Sequence, residues 1–332
     1  MKEKISLIVV VIILVLIPIG IKYYDSNIKH VEIKRNAEES EKQEEELLSG
    51  MKIIMIGGSN KKENENINSM GYVVLTANGK LIVVDGGIEE DSDDVFKYIS
   101  KYGNGKVDYW FLTHAHVDHV GAFIKLIDTE NIEVSNVCYN LNTAEWYEAN
   151  DKRGKDVATS LLDHLLNPKI KNRISCEKGQ IINIDNVSCE IIRVSNPEIT
   201  NSDTGNEASM TFKITAKDVD KSMIFLGDSF NEASKELMQN RDKLKSYAVQ
   251  VSHHGQNGVT KEVYDAINPT ICFYNTPEWL WNNDNGGGYN SGKWKTIEVR
   301  GWLDSMAEKN FVAYEGDQEV WLNKDGYVEI KE

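Results

Sequence analysis

Residues 113–119 read Thr113-His114-Ala115-His116-Val117-Asp118-His119, and they directly follow an apolar run of strand composition that ends at Leu112. No other stretch constrains fold and chemistry so tightly. On an extended backbone, residues two apart point to the same side, so His114 and His116 can offer their imidazoles to one metal ion. A turn into helix near Asp118 would then aim Asp118 and His119 at a second position close by. Imidazole nitrogens and carboxylate oxygens are the donors that zinc and similar divalent ions accept. A lone histidine is more often a packed or surface residue. Three within six positions, interleaved with an aspartate at a strand end, read as a metal-binding pattern.

Working outward, other polar groups also sit at the ends of apolar strands. Asp85-Gly86-Gly87 follows Leu81–Val84, Gly227-Asp228 follows Met223–Leu226, and His253-His254-Gly255 follows Ala248–Val251. Apolar alternation predicts further strands at Met51–Ile56, Tyr72–Thr76, Val107–Thr113, Ile181–Ile184, Cys189–Val194, Met210–Thr215 and Thr270–Tyr274. Asn78-Gly79 marks a hairpin between two of them. Helical spacing covers Asp94–Tyr102 (closed by Gly103), His119–Ile127, Thr159–Leu166, Glu232–Gln239 and Lys261–Ile267. Two series of strands, each followed by helices, predict two sheets face to face with helices outside, an α+β four-layer sandwich.

The chain's 332 residues are 41% hydrophobic and 27% charged, which excludes a polytopic membrane protein, a collagen-like repeat and a disordered tail. Its four cysteines (Cys138, Cys176, Cys189 and Cys272) form no CxxC pair, so they indicate neither a disulfide framework nor a zinc ribbon. Ile5 to Ile21 is an uncharged apolar run of 17 residues without a polar face, long enough for a transmembrane signal anchor. No small-residue cleavage site follows it. The expected organisation is therefore a short tail at 1–4, a single-pass anchor at 5–21, a glutamate-rich spacer at 22–50 and a single folded domain at 51–332. A short tail before a signal-like segment stays cytoplasmic, which would put that domain outside the cell membrane. Of the formal charge of −15, −13 falls on residues 51–332. That opposes any broad electrostatic grip on nucleic acid.

Together these motifs resemble the metallo-β-lactamase-fold superfamily over about residues 51–332, and within it the ComEC-like branch. The branch pattern reads here as Asn206-Glu207-Ala208-Ser209-Met210, then Phe225-Leu226-Gly227-Asp228, then Val251-Ser252-His253-His254-Gly255. The resemblance implies a metallo-β-lactamase fold behind the transmembrane helix and a site for two divalent ions, zinc or alternatively manganese. His114 and His116 would hold the first ion, Asp118, His119 and His254 the second, and Asp228 would bridge them. His253 would be a neighbouring or substrate-facing group, though the doubled histidine leaves the order of His253 and His254 open. Asp85 would buttress the histidine loop. Many superfamily members carry a further histidine before the bridging aspartate. The single candidate here, His164, reads as an ordinary helix residue, and Asn206 and Ser209 occupy that region instead.

Such a pair of ions, roughly 3.5–4 Å apart, would acidify a bridging water. The resulting hydroxide would attack the substrate with Asp118 and Asp228 as catalytic carboxylates, while His253, Asn206 or Ser209 would stabilise the developing oxyanion. The expected activity is a membrane-anchored, ComEC-like phosphodiesterase or nuclease acting on a phosphodiester substrate. The alternatives are an extracellular esterase of a small phosphodiester, such as phosphorylcholine on wall polymers, and a non-catalytic metal-binding surface module. Trp279, Trp281, Trp294 and Tyr289 surround the glycine-rich stretch 285–288. They read equally as an aromatic wall for the site or as loop packing. No protein partner is inferable.

Overall fold

The central strands are continuous apolar runs, and successive side chains point to opposite faces, so both faces of these strands are buried. A computed structural model describes residues 49–62, 67–129, 132–200 and 203–331. The expected tail and anchor, and the spacer up to residue 48, lie outside the described residues. Among the described residues, no helix is long and apolar enough to cross a membrane.

The strands are β1 (Met51–Met55), β2 (Gly71–Thr76), β3 (Leu81–Asp85), β4 (Lys106–Phe111), β5 (Glu133–Tyr139), β6 (Ile170–Ser175), β7 (Ile181–Ile184) and β8 (Val187–Arg193). They continue with β9 (Thr211–Ala216), β10 (Lys221–Phe225), β11 (Ala248–Gln250), β12 (Ile271–Tyr274), β13 (Lys309–Val312), β14 (Gln318–Asn323) and β15 (Gly326–Ile330). One sheet has the order β15-β14-β1-β2-β3-β4-β5-β6 and the other β13-β12-β11-β10-β9-β8-β7.

The facing sides share one apolar core. Ile53, Tyr72, Val74, Ile82, Val84 and Phe111 of the first sheet meet Ile191, Phe212, Phe225 and Phe273 of the second. The intervening residues point outward: Ile54, Val73, Val83 and Trp110 pack beneath the helices Ser92–Gly103 and Val117–Asp128. Ile224, Val249, Val251 and Cys272 pack beneath Asn231–Met238, Lys261–Ile267 and Thr296–Asp304. The layers are helix, sheet, sheet, helix, as expected for strands buried on both faces. Aromatic rings cross the seam: Phe111 stacks on Phe212 at 4.7 Å, Phe212 on Phe225 at 5.1 Å, and Tyr72 meets Phe225 edge-on at 5.2 Å.

The sequence expectations need several adjustments. Strand β4 stops at Phe111, and residues 112–116 form a loop, because the Thr113 N–H bonds the Asp85 carboxylate rather than a strand carbonyl. The helix expected to close at Gly103 includes it, and Asn104 takes the left-handed cap (φ 48°). Strands β5, β6 and β13 to β15 were not expected from the sequence. β6 is an edge strand with one fully buried residue, so it lacks an apolar run. β14 joins the sheet only by pairing with β1, at the far end of the domain's sequence. All four cysteines are free and buried.

Replacing Phe212 by alanine removes the ring that links both neighbours in the stack. Urea unfolding should report a loss of about 3–5 kcal/mol with an unchanged m-value.

Candidate metal centre

Parallel pairing puts the polar strand ends at one rim. β3 runs parallel to β4, and β10 runs parallel to β11, so each pair ends on the same side. The Met210 N–H donates to the Thr113 carbonyl at 2.8 Å and ties the rim of one sheet to the other.

Asp85 ends β3 with a left-handed backbone (φ 52°) and is fully buried. Its carboxylate accepts the Thr113 N–H at 2.8 Å, the Thr113 hydroxyl at 2.7 Å and His119 Nδ1–H at 2.7 Å. The following Gly87 accepts the Ala122 N–H at 3.0 Å and donates to the His119 carbonyl at 3.2 Å, docking the helix Val117–Asp128. A Cβ there would overlap the Ser69 and Asp91 side chains, and its φ of +92° excludes most other residues.

Four side chains then converge. His119 Nε2 lies 3.2 Å from Asp228 Oδ1, and His254 Nε2 lies 3.2 Å from Asp118 Oδ2 and 3.5 Å from Asp228 Oδ2. One donor atom from each of Asp118, His119, Asp228 and His254 falls within 4.8 Å of the others. His119 Nε2, His254 Nε2 and Asp228 Oδ1 are buried without a hydrogen-bond partner, as is His114 Nε2 beside them. Buried polar atoms are almost always satisfied, so orphaned nitrogens and an oxygen that meet at one place fit a divalent cation.

The surrounding bonds hold this arrangement. His254 donates from Nδ1 to the Asn275 carbonyl at 2.9 Å, and the Tyr72 hydroxyl bonds the Asn275 side chain. With Nδ1 committed outward in both His119 and His254, Nε2 of each neutral ring is the lone pair that faces the cluster. Asn68 donates to Asp118 Oδ2 at 2.7 Å. The Asp228 N–H donates to Ser209 Oγ at 3.0 Å, so the buried Ser209 hydroxyl supports Asp228 from behind and is not substrate-facing. Gln250 accepts the Leu226 and Gly227 N–H groups at 2.8 Å each and donates to the Gly227 and Val251 carbonyls, cross-linking the two loops of the second sheet. His253 and His254 both take positive φ (52° and 54°), a turn that presents both rings on the rim.

Not every expected residue joins the four. His114 and His116 lie side by side, with ring centroids 4.7 Å apart, but His116 turns Nε2 toward Asp151 Oδ2 at 3.1 Å. His253 sits at the wall, with Nε2 3.8 Å from Asp228 Oδ2 and 3.3 Å from Asn206 Nδ2. The cluster opens into a polar cleft of about 260 Å³, lined by Asn68, His116, Asp118, Arg153, Asn206, Asp228, His253 and Gln256, with Val117, Val157 and Gly154. None of the tryptophans lines it. Trp279 packs edge-on against Trp294, and Trp281 packs against Tyr274 and beneath Arg300. Loop packing is therefore their role. His164 bonds the Ser160 carbonyl and Asp128, within its helix layer.

Asn68, Asp151, Arg153, Gln250 and Asn275 were not identified from the sequence. Only Gln250 and Asn275 carried a signal there, as amides at the ends of apolar strands.

The electrostatics follow from burial and pairing. Burial acts to raise the Asp228 carboxyl, but the His119, His254 and His253 imidazoles outweigh it and hold Asp228 well below the usual range. Burial acts to lower His254, and Asp228 and Asp118 overcome this and push it up to about 9. Burial, with His119 and His116 nearby, drives His114 well below its ordinary value. His253 is also lowered by burial.

The family profile described as the Metallo-beta-lactamase superfamily matches residues 67–150, a stretch that includes Asn68, Asp85 and the 113–119 run. None of the curated proteins compared with the chain matches it. Among solved structures, unliganded yeast PDE1 is 12% identical, with 82% of this chain and 100% of that one covered and a TM-score of 0.50. The metallo-beta-lactamase fold protein YhfI from Bacillus subtilis is 12% identical over 82% of this chain and 100% of its own, with a TM-score of 0.49. A diphosphatase from the PhnP family is 12% identical over 72% and 92%, with a TM-score of 0.42. At this identity the likeness is one of fold.

Two outcomes test the centre. Asp85→Ala strands the Thr113 and His119 donors in the interior. It should destabilise the protein by about 1–3 kcal/mol per unsatisfied group, measured by urea unfolding. In metal-chelated protein the His254 imidazolium is favoured by folding. Its stabilisation is complete below the unfolded value near 6.5 and is lost as pH rises through about 9. Melting temperature of the chelated protein should therefore fall across that window, and less steeply in His254→Gln.

Proposed function

We propose that this chain, whose described unit carries a metallo-β-lactamase superfamily domain, is a metal-dependent hydrolase that opens phosphodiesters, of the ComEC-like kind, anchored at the membrane by residues 5–21. The observation that carries the reading is the set of orphaned donors on His119, His254 and Asp228, meeting Asp118 at the floor of a polar cleft. Those four residues would hold one divalent ion, and His114 and His116 a second beside it. When bound, such ions supply Lewis acidity to a phosphoryl oxygen and make water acidic enough to attack at neutral pH.

The chain's own groups supply the rest. Asp228, held ionised at the cleft floor, orients the attacking water. The His253 Nδ1 is 3.3 Å from the Asn257 carbonyl, which keeps the proton on that nitrogen and leaves Nε2 facing the cleft. From there it can take a proton from water and return it to the leaving oxygen. Asn206 directs an amide at the same nitrogen and lies within reach of a phosphoryl oxygen at the cleft wall. Arg153 is the one Arg or Lys that lines the cleft, and its guanidinium pairs with Asp203 at 2.5 Å. A phosphodiester entering the cleft would exchange that partner for its own oxygens.

One guanidinium in a domain of charge −13 suits a single phosphodiester group better than a long nucleic-acid track. The yeast PDE1 fold likeness is consistent with this substrate class. Residues 5–21 support the anchor by their uninterrupted apolar character, with the domain outside the cell.

Purified full-length chain should contain one to two divalent ions by elemental analysis. With bis(p-nitrophenyl) phosphate, Asp118→Ala and Asp228→Ala should lower kcat by more than the roughly 10–100-fold typical of supporting residues. Arg153→Ala should raise KM about 10-fold at unchanged kcat and metal content, the effect of losing one charge-assisted bond of about 1.5 kcal/mol. Undiminished hydrolysis in both aspartate variants, or single-stranded DNA cleaved in preference to short phosphodiesters, would overturn this assignment. An alkaline-phosphatase fusion at residue 50 should be active only when exported.

A further inference from the structure

The metal reading leaves unexplained a buried carboxylate that bonds one of its expected ligands. Asp151 follows the helix Ala144–Asn150, far in sequence from every motif, and is only 6% exposed. Its Oδ1 accepts the Gly154 N–H at 3.1 Å, and its Oδ2 lies 3.1 Å from His116 Nε2. The segment 203–207 closes over the pair. Thr204 Oγ1 donates to the Asn150 carbonyl at 2.9 Å, and a Cβ on Gly205 would overlap both the Asp151 carboxylate and His116 Nε2. The socket therefore has no room for another side chain, and it forms from two stretches that hold no expected metal ligand.

The use of the ring nitrogens gives this socket a purpose. His119 and His254 commit Nδ1 outward, to Asp85 and the Asn275 carbonyl, and turn Nε2 inward. His116 is reversed, with Nε2 bonded outward to a carboxylate. A carboxylate that accepts Nε2–H selects the tautomer whose lone pair is on Nδ1, and an anionic partner raises the basicity of that lone pair.

We propose that Asp151 is a positioning residue that locks His116 with its proton on Nε2 and offers Nδ1 as the donor for the second cation position, beside His114. This rests on the metal-dependent reading above. The function of the carboxylate is to orient a ligand, and it touches neither substrate nor reacting atoms.

Calorimetric titration of the chelated full-length chain with zinc, alone and in variants, tests the assignment. The wild-type chain should take up two equivalents. Asp151→Ala should weaken one of them by about 10–100-fold and leave the other unchanged. Asp151→Asn keeps an oxygen that can accept Nε2–H, so it should recover most of the lost affinity. In a His116→Ala background, Asp151→Ala should change nothing further, whereas a merely structural role would add its own loss. Nitrogen-15 NMR of histidine-labelled, chelated protein gives a readout that needs no metal: His116 should be protonated at Nε2 in wild type. Two unaltered zinc equivalents in Asp151→Ala, or a His116 proton found on Nδ1, overturns the proposal. Failure of the underlying reading would show differently, as a wild-type chain that takes up no zinc.

Discussion

A single buried carboxylate organises the rim. Asp85 is removed from water, which acts to raise its pKa, while His119 and Thr113 act in the opposite direction. A carboxylate in that position is tolerable only because the Thr113 N–H, the Thr113 hydroxyl and His119 all donate to it. Those bonds peel the chain away from β4 after Phe111, fix the loop that carries His114 and His116, and set the tautomer of His119. Together with the Gly87 bonds to Ala122 and His119, they seat the helix Val117–Asp128 on the first sheet and so set Asp118 relative to Asp228.

The second sheet meets this arrangement with a different device. His253 and His254 both occupy the left-handed region, which for non-glycine residues costs on the order of 1–3 kcal/mol each unless the surroundings impose it. The surroundings are Gln250, which bonds both the Leu226–Gly227 turn and the Val251 carbonyl, and Thr276, whose hydroxyl donates to the His254 carbonyl at 2.6 Å. Between these loops, Glu207 accepts the Glu232 and Ala233 N–H groups at 2.8 Å, tying the Asn206 segment to the next helix. The donors are thus held in advance of any ligand, which is the condition for a tight and selective centre.

Charge is arranged locally against the global trend. The domain is strongly acidic, yet the cleft gathers four histidines (His116, His253 and, beneath them, His119 and His254) and one arginine around Asp118 and Asp228. A bound cation would supply the positive charge that these residues lack, so an anionic ester could approach a protein whose net charge would repel it.

The sequence alone was sufficient to gather candidate metal ligands at strand ends, and to determine that two strand series with helices make a layered sandwich. Both follow from local pattern: spacing of two along an extended chain, and apolar runs of strand length. Asp228 and the doubled His253-His254 also stand at the ends of strands that declare themselves, and Asp118 and His119 follow in the turn into the next helix, but which of the two adjacent histidines faces the cluster is set by tertiary contacts. What supports them was decided by the tertiary structure. Asp151 and Asn68 are polar residues in loops and Asn275 only follows a strand, and they acquire a role only when chain segments tens of residues apart are brought within 3 Å or so. The reversal of His116, the burial of Ser209 behind Asp228, and the packing of the tryptophans away from the cleft belong to the same class. A side chain's type limits which bonds it can make, but its partner is set by which strands pair and which loops meet, and no local spacing encodes that.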